Sequence, residues 1–496
     1  MKRFLSICVA VLLGAMAANA QQRLSCTHFS KRLSTRAFFA PPMQFDPQKT
    51  YRQPVVLISF SDRDFSMADP AVYYNRLFNE SGFNEGAGVG CVADYFRDQS
   101  SGRLNLQFDI YGPVKLDTIA AGGRMYDVFG NDAVNAAAAK LCETETTDFS
   151  IYDWNQDGKV NQLIVVMAGY TGNEVSGYVW PSTGNINLTL PGGIPTSMSS
   201  TSCEMWRNDH LCGIGTIVHE FCHTLGLPDI YPVGSATAFS VADEWDLMDG
   251  GNYTNYGWCP PNLTTMERMY MGWDQPVELS AATSITGMKP LSEGGETYII
   301  RNPQNSNEYY LLENRKQSGW DFGIPGNGLL ISHVNFDEVS WLDNAVNEND
   351  TCFRYDIFHA DGKSYLDWDK DNNGNDYTKW VDEERLHNKY LSTSVYPYTN
   401  PETLVINASL TNESDPASTL FTANTDGKKL MSKPITNIQL AADGSISFDF
   451  MKEGTGIKAV VEDESTHEWY DLQGRRLQGK PARHGVYINN RKKVAF

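Results

Sequence analysis

The stretch that most constrains this chain is IVHEFCHTLGLPD, residues 217–229. On a helix, His219 and His223 are four residues apart and stand one turn above the other on a single face. Two imidazoles so placed can hold one zinc ion, and Glu220 between them can take a proton from a water at the metal. Gly226 permits the positive φ with which helices commonly stop. Three residues on, Asp229 is expected to swing back as the third ligand, leaving the fourth position to water. A later acid, Glu244 or Glu267, is the alternative third ligand. The bland reading of the stretch is an amphipathic helix that packs Ile214, Ile217, Val218, Phe221 and Leu225 and leaves its polar face in solvent. The length of the H-E-x-x-H-x-x-G-x-x-D spacing weighs against that reading.

The chain has 496 residues, enough for two or three domains, and a globular share of hydrophobic side chains, 41%. Sixty acidic against 40 basic residues leave a formal net charge of −20, which argues against nucleic acid as a partner. Residues 1–20 read as a secretory signal, with Lys2 and Arg3, an apolar run over 4–16, and Ala18-Asn19-Ala20 as the cleavage site. That run is too short to span a bilayer, and no later run is long or apolar enough to be a transmembrane segment. A secreted or cell-surface location follows as the expectation. Export permits disulfides; Cys203 and Cys212 are the expected pair, and Cys222 is expected as a buried thiol.

Along the chain, residues 21–50 are a polar N-terminal extension. Strands are expected over 54–60, 104–110 and 163–167, and helices over 70–78, 89–98 and 131–142. Asp153, Asn155 and Asp157 with Gly158 match the first half of a calcium loop, as do Asp369, Asp371 and Asn373 with Gly374. Both loops lack the acidic twelfth residue, so a plain Asx-rich turn is the competing reading and calcium is only a candidate ligand. From 276 to about 452 short alternating runs (298–301, 309–313, 328–333, 446–450) give a β-rich, sandwich-like texture. The basic tail, 453–496, holds short strands around Gly485.

The extended zinc spacing is similar to that of the metzincins, with Asp in place of the commoner third His, and WDLMDGG at 245–251 looks like their Met-turn. The chain over roughly 50–420 resembles the immune-inhibitor-A group of secreted metallopeptidases. The resemblance rests on PVVLISFSD at Pro54, GVGCVADYFRDQSSGRL at Gly88, DGKVNQLIVVMAG at Asp157 and VWPS at Val179. It continues through the zinc stretch and WDLMDGG to YYLLENR at Tyr309 and PGNGLLISHV at Pro325. Cys222 stands where that family usually has glycine. The resemblance implies zinc on His219, His223 and Asp229, Glu220 as the catalytic base, and a calcium-stabilised fold. Metzincin-like sites often add a Tyr near the Met-turn as an oxyanion donor, and Tyr253 is the nearest candidate. YDLQGRRL and GVYINNRKKV in the tail resemble the sorting domains of exported Bacteroidetes-type proteins, which implies contact with a secretion machinery.

The expected architecture is α+β: a metzincin-like catalytic region over 51–275, a β-rich region over 276–452 and a short β tail. The expected activity is zinc-dependent hydrolysis of polypeptide substrates. An aminopeptidase and a non-catalytic adhesin on the same scaffold are the alternatives; an intact Glu220 weighs against the adhesin.

Overall fold

The computed structural model describes residues 41–120, 129–172, 175–206, 209–234, 240–349, 351–363 and 391–452, with four short strands beyond residue 468. The chain forms two compact units, residues 1–452 and 453–496. The larger unit mixes helices with several sheets.

The first sheet contains β1 (Thr50–Ser59), β2 (Asn105–Lys115), β3 (Leu163–Tyr170), β4 (Ser182–Leu190) and β5 (Ile194–Met205), in the spatial order β2-β1-β3-β5-β4. Four strands are parallel, and the edge strand β4 runs antiparallel to β5. The apolar runs of β1 and β3 are buried on both faces, as a sheet covered on both sides requires. Val55, Leu57, Ile164 and Val166 face one core, whereas Val56, Ile58, Val165 and Met167 face another. Helices α1 (Pro70–Asn79) and α2 (Val92–Gln99) close the first face. The alanine-rich α3 (Asn131–Thr144) closes the second with Ala133, Val134, Ala137 and Leu141. Helix α4 (Gly215–Thr224) returns to the first face and packs Ile217, Val218, Phe221 and Cys222 there.

After α5 (Thr265–Tyr270) the chain is mostly strand. It runs through β6 (Val277–Glu278), β7 (Thr283–Met288), β8 (Tyr298–Asn302), β9 (Asn305–Arg315), β10 (Gly328–Asn335), the short α6 (Glu338–Leu342) and β11 (Tyr355–Ile357). The hairpins β12 (Tyr398–Thr399) with β13 (Ile406–Asn407), and β14 (Ile435–Leu440) with β15 (Ile446–Phe450), follow. Strands β11-β10-β9-β8-β6 make a five-stranded sheet, and β14-β15-β7 a three-stranded one. Side-chain alternation divides the larger sheet between two cores. Ile299, Tyr309, Leu311, Leu330 and Val334 join the first core, beside α4. Tyr298, Ile300, Tyr310, Leu312 and Ile331 meet Ile435, Ile446, Phe448 and Phe450 of the smaller sheet in a third. The first core is thus built from both halves of the chain.

The smaller unit carries β16 (Trp469–Tyr470), β17 (Arg476–Leu477), β18 (Val486–Asn489) and β19 (Lys492–Ala495) in the order β17-β16-β18-β19, all antiparallel. Among the described residues no helix is long and apolar enough to cross a membrane. The expected signal over 1–20 and the second acidic loop, with Asp369, Asp371 and Asn373, lie outside the described residues. No disulfide joins the described cysteines. The expected Cys203–Cys212 bridge is not formed: Cys203 is turned into the second core, with Sγ 3.5 Å from the Val179 carbonyl. Cys222 is a buried thiol.

Candidate metal centre and active site

Helix α4 is placed by close backbone approach at one end and a glycine turn at the other. A Cβ on Gly215 would come within 2.1 Å of the Asn252 carbonyl oxygen, so only glycine lets the helix start there. At the far end Gly226 has φ +105°. Leu227 N–H donates to the Cys222 carbonyl at 3.1 Å and Gly226 N–H to the His223 carbonyl at 3.0 Å, a Schellman ending.

That ending aims the Leu227 carbonyl at His223, whose Nδ1–H donates to it at 2.8 Å. His219 Nδ1–H donates to the Leu247 carbonyl, also at 2.8 Å. A carbonyl only accepts, so each ring carries a proton on Nδ1, which turns its Nε2 to the opposite side as the atom that could meet a metal. The two Nε2 atoms converge on Asp229 Oδ1, at 3.4 Å from His219 and 3.2 Å from His223. Tetrahedral zinc with bonds of roughly 2.0–2.1 Å sets its ligand atoms about 3.3 Å apart. The group His219, His223 and Asp229, with ligand atoms all within 4.8 Å of one another, therefore fits a metal ion, and its two nitrogens and one oxygen suit zinc. The Nδ1–carbonyl bonds are the outer contacts that orient metal-binding histidines. Glu267, weighed as an alternative ligand, is held elsewhere, with Oε2 capping α5 through Thr264.

Asp229 is fully buried. Burial opposes its ionisation, but the neighbouring imidazoles of His223 and His219 win and hold the carboxyl well below its usual range. Its Oδ2 accepts from Asn344 Nδ2 at 2.8 Å. Glu220, 1% exposed, is pushed up to about 7 by burial, against the pull of His219 and His223. Thr183, on the edge strand β4, sets its one hydroxyl between two oxygens of the same residue, the Glu220 backbone carbonyl at 2.6 Å and Glu220 Oε2 at 2.9 Å, and Glu220 Oε1 is buried with no hydrogen-bond partner. A buried carboxylate oxygen held beside a cation site and kept partly protonated near neutrality has the character of a general base.

The turn that bears Met248 braces this site. Its Leu247 carbonyl holds His219, and its Met248 carbonyl accepts Ile230 N–H at 2.8 Å, beside Asp229. The Met248 side chain is fully buried in the first core. The turn is fixed in three ways. Asp246 Oδ1 accepts Met248 N–H at 2.7 Å. Asp249 Oδ2 accepts the amides of Val241 and Ala242 at 3.1 and 2.9 Å. Arg315 Nη1 donates to the Trp245 carbonyl at 3.1 Å. Arg315, fully buried on β9, also forks onto Asp321 at 2.9 and 2.7 Å and meets Glu313 at 2.8 Å. Across to α5, the side chains of Asp246 and Glu267 interact, and Asp246 Oδ2 and Glu267 Oε1 are both buried without a donor; one proton shared between the two carboxyls would satisfy both. Burial holds both above the usual carboxylate range; the charge of Glu267 adds to it at Asp246 and that of Glu313 at Glu267, where the bond to Asp246 pulls the other way.

The structure thus brings together His219, Glu220, His223 and Asp229. It places Tyr253 at the N-terminal side of α4, its ring stacked on Trp206 at 5.4 Å. The first acidic loop closes on itself: Asp153 Oδ1 and Oδ2 accept the amides of Asp157 and Gly158 at 3.1 and 2.8 Å, and Asn155 Nδ2 donates to Asp157 at 3.2 Å. Thr183, Asn344 and Arg315 were not anticipated, because local spacing gives no sign that they meet residues 37 to 115 positions away. A scan against protein-family models and a search of the curated proteins both find no match.

Proposed function

We propose that this chain is a secreted zinc-dependent endopeptidase with a metzincin-like catalytic region, acting on polypeptide substrates outside the cell. The observation that carries the reading is the convergence of two Nε2 atoms and one carboxylate oxygen beside a buried Glu220 on the same helix. The resemblance of the ordered motifs to the immune-inhibitor-A group supports it, as does the signal-like start of the sequence. The sorting-domain-like tail supports passage through a secretion machinery.

Zinc, when bound, supplies Lewis-acid polarisation of the scissile carbonyl and makes water a better nucleophile. His219, His223 and Asp229 would hold it. Glu220 Oε1 takes a proton from the attacking water and later gives it to the departing amine nitrogen. Thr183, bonded to both the backbone carbonyl and Oε2 of Glu220, limits rotation of the carboxylate away from the reacting water.

Glu220→Gln tests the reading. The variant should bind zinc as the wild type does, while casein cleavage falls by roughly 10²–10⁴. Turnover near that of the wild type would refute the mechanism, and the same assay on short amide substrates separates an endopeptidase from an aminopeptidase.

A further inference from the structure

Asn344 lies just past α6, 115 residues beyond Asp229. It is 7% exposed and has a left-handed backbone, φ +53°. Its side-chain amide makes two bonds to one residue. Oδ1 accepts Asp229 N–H at 2.6 Å, and Nδ2 donates to Asp229 Oδ2 at 2.8 Å. An amide is the side chain for this task, since it sets an acceptor and a donor side by side. The grip fixes both the backbone and the carboxylate of the third ligand. With Oδ2 engaged, the oxygen turned to the two Nε2 atoms is Oδ1.

We infer that Asn344 is a positioning residue for the metal centre: it makes Asp229 a one-oxygen ligand and thereby sets metal affinity. This rests on reading the site as a zinc centre. The neighbouring Asn347 shows what a purely structural contact looks like here. Its Nδ2 donates to the carbonyls of Ile230 and Tyr355 at 2.8 and 2.9 Å, and its Oδ1 accepts the amides of Arg354 and Tyr355 at 2.8 and 3.1 Å. It ties the same loop to β11 and meets backbone atoms, whereas Asn344 meets the ligand carboxylate itself. The segment is seated by the fully buried Trp341, whose ring packs on Tyr270 and Phe336 at 5.3 and 5.7 Å. A free carboxylate can bind metal through either or both oxygens; one already bonded to a neutral donor has its orientation chosen before the ion arrives.

The test uses the full chain and three variants. Asn344→Gly removes the amide and keeps a residue at ease with positive φ. Asn344→Ser keeps one hydrogen-bonding atom. Asn347→Ala loosens the loop and leaves the Asn344–Asp229 bonds in place. Zinc dissociation constants come from competition with a chromogenic chelator, melting temperatures from the metal-free proteins, and ligand geometry from the visible absorption of the cobalt-substituted forms. Asn344→Gly should weaken zinc binding roughly 10–100-fold and change the cobalt bands, with Asn344→Ser between it and the wild type. Asn347→Ala should lower the melting temperature while zinc affinity stays within about threefold. Wild-type affinity and cobalt bands in both Asn344 variants would overturn the inference, as would an equal loss of affinity in Asn347→Ala. A wild-type chain that binds no zinc would instead overturn the zinc reading beneath it.

Discussion

A proton shared by Asp246 and Glu267 would give the larger unit a pH dependence that one substitution should remove. Both carboxyls are fully buried, and burial holds both above their usual range, helped at Asp246 by the charge of Glu267 and at Glu267 by that of Glu313. In the unfolded chain each titrates near its ordinary value of about 4. Folding above that pH therefore takes up a proton. A group whose folded pKa is raised contributes stability that is complete below the unfolded pKa and is lost as pH rises toward the folded one. One proton corresponds to about 1.4 kcal/mol per pH unit, so between about pH 5 and about pH 7 the pair costs the wild type up to about 3 kcal/mol. Asp246→Asn keeps the acceptor for Met248 N–H and replaces the shared proton by a permanent N–H donor to Glu267. Glu220, Asp249 and Asp356 are also raised by burial and slope the same way, but they are present in both proteins and cancel in the difference. Urea unfolding of the metal-free proteins at the two pH values measures that difference. Asp246→Asn should lose less stability than the wild type as pH rises, by an amount approaching 3 kcal/mol. Parallel pH profiles would refute the shared proton.

Two further substitutions probe the braces of the site. Thr183→Val should lower kcat on casein roughly tenfold with KM and zinc content unchanged, and Thr183→Ser should restore it; equal kcat in both would detach Thr183 from Glu220. Arg315→Met leaves Asp321 and Glu313 buried without their cation and should destabilise the chain by about 3–5 kcal/mol in urea unfolding. A loss below about 1 kcal/mol would show that those carboxylates find other partners.

What the sequence discloses about this protein is what depends on short spacing. The His219–His223 face follows from helical geometry, and the turn at Gly226 follows from glycine's freedom at positive φ, which the structure uses at +105°. The strands over β1, β3 and β8 to β10 are readable from their apolar runs. Spatial order is not readable in this way: β2-β1-β3-β5-β4 is set by crossovers, and the spacing of side chains along one strand does not reveal its neighbours. The same limit hides the residues that hold the site. Thr183 lies on an alternating polar strand and Asn344 in a polar turn, and each has a role only because folding sets it against Glu220 or Asp229. Arg315 looks like a charged strand end, yet it is fully buried because two carboxylates and a carbonyl surround it. The Cys203–Cys212 pairing failed for a related reason. Nearness in sequence says nothing about which face of β5 a side chain leaves from, and Cys203 leaves into the second core.

The division of the first core between both halves of the chain bears on the order in which the site can be completed. The helix bearing His219, Glu220 and His223 is written by residue 224, but the guanidinium that holds the Trp245 carbonyl arrives at residue 315 and the amide that grips Asp229 at residue 344. A chain growing from its N-terminus thus carries the whole recognisable motif for 115 residues before the last of the parts that make it rigid, Asn344, is in place. A fragment that ends before residue 311 displays His219, His223 and Asp229 without that grip and exposes the face of the sheet that Leu311, Leu330 and Val334 later cover. A rigid centre is therefore a sign of a finished polypeptide, and possession of the motif alone is not.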